Sequence, residues 1–109
     1  MSDLTKVLGA IAHPSRRAIL RRLAGGPARV TDIAAPFDLS LNAVSKHLKV
    51  LEGAGLVDRE RQGRDHVIRF RGEPLHLVSR WVHEYERFWT ERLDRLEEYF
   101  TKEKGRKKS

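Results

Sequence analysis

The 109-residue sequence contains no cysteine. That absence excludes a disulfide framework, a thiolate metal site, a cysteine nucleophile and a thiol redox switch, and it fits a cytoplasmic protein. Long apolar runs are missing as well: the N-terminal apolar stretch covers only Val7 to Ala12. This falls far short of the roughly 20 residues that span a bilayer, and no signal-peptide core appears, so a soluble chain with no membrane partner is expected. The catalytic signatures G-x-S-x-G and H-E-x-x-H, the P-loop and the glycine-rich dinucleotide turn are absent, and an enzyme is not expected. The length allows one small domain and no second one, and no internal repeat is visible.

What the chain does have is charge, 34% Asp, Glu, Lys and Arg with a net +7. Its distribution is uneven. Residues 72–101 carry four basic and seven acidic side chains, whereas residues 40–71 carry seven and four, and residues 102–109 carry five and one. Positive charge placed this way points to a polyanionic partner for the first two thirds of the chain.

Apolar spacing predicts five helices and a hairpin. Leu4, Val7, Leu8 and Ile11 recur at helical intervals and form a first helix ending near His13. Pro14 suits the first position of a second, with Ile19, Leu20 and Leu23 as its apolar side and Gly25, Gly26 and Pro27 as its stop. Val30, Ile33, Ala34 and Phe37 predict a short third helix limited by Pro36. Ser40 is placed to cap a fourth helix, whose core face is expected to be Leu41, Val44, Leu48 and Leu51. Gly55 fits the left-handed position of a Schellman ending, with Leu56 folding back on Leu51. The third and fourth helices, joined around Asp38 and Leu39, read as a helix-turn-helix.

From Leu56 to Arg71 the period shortens, with Val57, Ile68 and Phe70 alternating with charge around a tip at Gln62, Gly63 and Arg64. This predicts a β-hairpin. A last helix over about residues 75–101 carries the apolar stripe Leu75, Val78, Trp81, Val82, Tyr85, Phe88, Trp89, Leu93, Leu96 and Phe100. No domain this small can cover it, so a second copy of the chain is the simplest cover, with the first helix contributing to the interface. The expected domain spans residues 1–101, and residues 102–109 are expected to be a disordered basic tail, either an anion tether or a solubilising end.

Several side chains carry candidate chemistry. Asn42, Ser45, Lys46 and Lys49 share the polar side of the fourth helix, and Ala43 lies where a methyl can meet thymine; the face suits a major groove or is an ordinary solvated surface. His47 sits between that side and the core, as a nucleic-acid contact or a packed histidine. The hairpin holds Arg59, Arg61, Arg64, Arg69 and Arg71; it is either a wing, whose tip residues Arg61 and Arg64 reach a nucleic-acid backbone or an adjacent minor groove, or a charged edge ribbon that resists aggregation. His76 and His83, seven residues apart with Glu73, Glu84 and Glu86 nearby, are ordinary helix residues or part of a site that two chains complete. Trp81, Tyr85, Phe88 and Trp89 are interface or the lining of an inducer pocket.

The segments HPSRRAILRRL (His13 to Leu23), VTDIAAPFDLSLNAVSKHLKVLEGAGLV (Val30 to Val57) and RERQGRDHVIRF (Arg59 to Phe70) closely resemble the ArsR family of bacterial winged helix-turn-helix repressors. The likeness runs over about residues 4–100, and its most specific part begins at Ser40. It implies a mainly α winged helix-turn-helix fold with a small β-hairpin. It further implies a cytoplasmic homodimer joined through the first and last helices, held at the nucleoid through double-stranded DNA. There it would read an inverted repeat and leave when an effector, of unknown identity, binds. By the family's pattern the contacts would be Ser40, Asn42, Ala43, Ser45, Lys46, His47 and Lys49, with Gln62 and Arg64 at the wing tip.

The dimer interface is expected to use Leu4, Val7, Leu8, Ile11, Val78, Trp81, Val82, Tyr85, Phe88, Trp89, Leu93 and Leu96. Thiolate-using metal sensors of the family carry cysteines where this chain has Arg29 to Ala34. The last helix looks like a metal-independent branch whose members often accompany genes for START-like proteins, and no cofactor or metal is expected. Two alternatives stay open: a winged-helix module that binds an acidic protein, and a zinc-responsive repressor using the histidines and glutamates of the last helix.

Overall fold

The computed structural model describes residues 3–108, and their side chains as far as Lys102. Two compact units emerge, one ending at Val78 and one beginning at Ser79.

The first unit opens with helix α1 (Asp3–Ile11), which packs against α2 (Pro14–Ala24) and α4 (Leu41–Gly53). Val7 is only 1% exposed and belongs, with Ala10, to the unit's own core. Its assignment to the dimer interface is therefore corrected. The four spaced apolar residues of α1 cover more than one narrow stripe: Val7 and Ala10 face inward, while Leu4, Leu8 and Ile11 remain half-buried. α1 has no basic residue in its last turn, and its terminal carbonyls are met from α2. Arg16 donates from Nε to the Ala10 carbonyl (2.6 Å) and from Nη2 to that of Gly9 (3.1 Å), and Arg17 donates to that of Ile11 (2.7 Å). These guanidinium groups satisfy acceptors that a helix end leaves without partners. Pro14 takes the first position of α2 as expected, behind His13, whose Nδ1 accepts from the Ser15 amide (3.1 Å).

A two-residue strand, β1 (Ala28–Arg29), precedes the five-residue α3 (Val30–Ala34) and a single 3-10 turn at Ala35–Phe37. α4 starts behind Ser40, whose Oγ accepts from the Ala43 amide at 3.1 Å. Val44, Leu48 and Leu51 are fully buried, but Leu41 is 51% exposed, which corrects its placement in the core. An open cleft bordered by Thr31, Ala34 and Ala35 lies beside it where packing side chains would have to be. The end of α4 is the expected Schellman motif: the Leu56 amide donates to the Leu51 carbonyl and that of Gly55 to Glu52, both at 3.0 Å. Gly55 itself has φ +74°.

Strands β2 (Val57–Gln62) and β3 (Asp65–Phe70) pair antiparallel, from Val57 opposite Phe70 to Gln62 opposite Asp65. The two-residue tip has Gly63 at φ +62° and Arg64 outside the left-handed region, the sequence order of a type II′ turn. β1 adds to the outer edge of β3, with Ala28 opposite Ile68, making the sheet β1-β3-β2.

α5 (Leu75–Lys108) is a single 34-residue helix, about 51 Å long at 1.5 Å per residue. Leu75, Leu77 and Val78 pack against the first unit's core. The helix extends through residues 102–108, where a disordered tail is expected, because losing apolar residues ends burial and not helicity; Lys, Glu and Arg are good helix formers. Ser109 lies outside the described residues.

Two substitutions test this packing. Leu48→Ala should remove about 3 kcal/mol by leaving a cavity, and Gly55→Ala about 1 kcal/mol by placing a Cβ in a left-handed conformation. Urea titration should show lower midpoints at unchanged slope; an unaltered Leu48→Ala midpoint would contradict the buried face.

Candidate nucleic-acid interface

Sealing Val44, Leu48 and Leu51 against the core leaves the opposite side of α4 open. That side presents Asn42, Lys46 and Lys49, all exposed, with Ala43 and Ser45 half-buried at its margins and Ser40 exposed at its start. Asn42, Lys46 and Lys49 have no hydrogen-bond or ion-pair partner among the described residues. Their donors and charges are free to meet a ligand. The open face is thus an amide in the first turn of α4 with two ammonium groups in the turns that follow, the combination that bonds base edges and phosphates in a major groove.

The hairpin stands beside it. Arg59 donates to Glu52 of α4 through Nε (3.2 Å) and Nη2 (2.8 Å), a half-buried ion pair that ties the hairpin to the helix. Arg69 pairs with Glu60 (2.8 Å) and Arg71 with Asp58 (2.5 Å); the Asp58 carboxylate raises the pKa of Arg71. Arg29 pairs with Asp32 and, across the sheet, with Asp65, and its pKa is raised mainly by Asp32. At the tip Arg61 donates to the Gly63 carbonyl at 3.2 Å. Arg64 has no ion-pair partner among the described residues, and Gln62 is exposed beside it. Of the five hairpin arginines, Arg59, Arg69 and Arg71 are thus held in ion pairs within the protein, while Arg61, bonded only to a backbone carbonyl, and Arg64 keep their charges uncompensated among the described residues at the tip. Between tip and helix lies a cleft of about 250 Å³ lined by Leu41, Ser45, Arg59, Arg64, Asp65 and His66, among others.

His47 does not join the open face. Its Nδ1 lies 3.4 Å from Nη1 of Arg16, and its ring rests on that of His13 at 4.7 Å. Burial, then His13 and Arg16, lowers its pKa, so the neutral ring is the favoured form. One guanidinium therefore links the end of α1 to the middle of α4, a contact that the sequence conceals because its partners are 31 residues apart.

The proposed interface residues of α5, namely Trp81, Val82, Tyr85, Phe88, Trp89, Leu93 and Leu96, are all exposed, as are Tyr99 and Phe100. Val78 is half-buried on the first unit's core. His83 Nδ1 is 3.8 Å from Glu86, and among the described residues no group of three His, Asp or Glu is arranged to hold a metal ion.

A capped helix with a free polar face, preceded by a short helix and followed by a basic hairpin, defines a winged helix-turn-helix DNA-binding regulator. Comparison with known proteins narrows the class. The helix-turn-helix domain family matches residues 11–60. A transcriptional regulator of Mycobacterium tuberculosis, Rv2034, is 40% identical over 84 residues, 77% of this chain and 76% of its own. The crystal structure of an ArsR family transcriptional regulator superposes with a TM-score of 0.75 at 38% identity, covering 81% of this chain and 91% of that one. The homodimeric winged helix-turn-helix DNA-binding domain of Mb0332 from Mycobacterium bovis does so with a TM-score of 0.63 at 30% identity, covering 79% and 82%. This chain belongs to the ArsR family of transcriptional regulators and is not an enzyme.

The lowered pKa of His47 has a consequence for stability. The unfolded chain takes up a proton at this residue near pH 6.5 and the folded chain only at lower pH, so stability should fall as the pH drops below about 6.5. Denaturation midpoints at pH 7.5 and 5.5 should converge for His47→Asn relative to the parent protein. An equal acid loss in both would show that the ring is not held as described.

Proposed function

We propose that the chain is a homodimeric repressor that sets α4 of each copy into successive major grooves of an inverted repeat, with the wing against the DNA backbone. The observation that carries this reading is the open side of α4, where Asn42, Lys46 and Lys49 have no partner in the protein while the opposite side is sealed. Asn42 and Ser45 read base edges, Lys46 and Lys49 meet guanine or phosphate, and Ser40 and Ala43 line the approach. Arg61, Gln62 and Arg64 hold the adjacent backbone. His47 positions the helix through Arg16 and makes no base contact. A two-fold pair of reading helices places half-sites about 10 bp apart or at a multiple of that spacing.

Leu4, Leu8, Ile11 and the exposed residues of α5 form the contact between copies, as the homodimeric neighbour supports. Val7 takes no part. A regulator made of a reading head and a dimerisation helix represses by occupying promoter DNA. The chain fits a branch that does not sense metal by thiolates, since the stretch Arg29 to Ala34 holds no cysteine, and it works in the cytoplasm, at the nucleoid.

Mobility-shift titrations against salt and random competitor DNA test this. Arg64→Ala should weaken binding to all sequences about equally and lower the salt slope by about one, while Asn42→Ala should lose about 1–3 kcal/mol on the preferred site and relax base preference. Equal behaviour of both variants and parent would overturn the contact assignment. Binding that an acidic protein competes away and a specific duplex does not would favour a protein-interaction module.

A further inference from the structure

We propose that Leu41 reads the C5-methyl of a thymine at the edge of each half-site, which makes part of this regulator's sequence preference apolar. The inference rests on the DNA-reading function proposed above and adds a specificity residue to it. Leu41 continues the spacing of Val44, Leu48 and Leu51, yet those three are fully buried and it is 51% exposed. It occupies the first turn of α4, directly after the Ser40 cap, and the N-terminal residues of a recognition helix are the ones that reach base edges.

Its surroundings say what fits there. Leu41 borders the cleft between helix and wing together with Ser45, Arg64 and His66. Arg64 makes no ion pair with any described residue, so an exposed leucine faces the same space as a free guanidinium and a hydroxyl. DNA supplies both complements at one place: phosphate for the cation, and the thymine methyl, the apolar group that the major groove displays. Ala43 competes for the role, but its side chain is short and half-buried and its amide is held by Ser40. Leu41 reaches further and carries more uncovered apolar surface.

The experiment selects preferred duplexes from random-sequence DNA with the intact protein, then replaces each thymine of the selected half-site by deoxyuridine, which removes only the methyl. One position in each half-site should weaken binding about fourfold, the effect of one methyl-sized group taken out of water. That sensitivity should disappear in Leu41→Ala, persist in Ala43→Ser, and return at least in part in Leu41→Met. Circular dichroism of Leu41→Ala should match the parent, since the residue supports no core packing. Indifference to deoxyuridine at every position, as expected if Leu41 rests on a sugar, overturns the inference alone, as does full sensitivity retained in Leu41→Ala. Selection that enriches no sequence overturns the sequence-reading function itself, and this inference falls with it.

Discussion

The first unit depends on the seal between one side of α4 and the core. Val44, Leu48 and Leu51 are inaccessible to solvent, as are Leu56 from the Schellman loop and Ile68 from the central strand. These contacts set the rotation of the helix about its own axis. Turning it by one residue would carry lysines toward the interior and leucines into water, which the burial free energy of large apolar side chains forbids. The polar side is therefore presented in one orientation, and the free amide and ammonium groups follow from what is hidden on the reverse. Both ends reinforce this, Ser40 by capping and Gly55 by closing the last carbonyls.

Charge pairing then sorts the basic residues by role. Arg59 is spent on Glu52, Arg69 on Glu60 and Arg71 on Asp58, so the net positive charge of the hairpin is concentrated at its tip. Arg16 is used inside, on the carbonyls of α1 and on His47. A chain with 22 basic residues thus offers only some of them to a polyanion. Lys46 and Lys49 on the open side of α4 and Arg64 at the wing tip are among those that make no ion pair with the described residues.

Much of this organisation is visible in the sequence because independent local signals agree. At α4 the cap Ser40, the apolar spacing and Gly55 point to the same helix with the same ends, and the hairpin tip is marked by Gly63. What stays hidden has a physical cause in each case. Spacing reports which side of a helix a residue occupies, not whether anything lies over it, so Leu41 reads as core and Val7 as interface. A two-residue strand such as β1 is too short to show a period of two. The bonds of Arg16 depend on the tertiary meeting of three helices. The helix beyond residue 101 follows from propensity, which an argument based on burial overlooks.

The second unit poses the remaining constraint. Trp81, Tyr85, Phe88, Trp89, Leu93, Leu96 and Phe100 stand exposed along one helix, an apolar surface larger than a soluble monomer ordinarily leaves in water. A twin that covers it also supplies the second reading head. Sedimentation equilibrium at micromolar concentration is the direct test: the account predicts a particle of twice the 12.6 kDa chain mass, and a well-behaved species of single chain mass would contradict it.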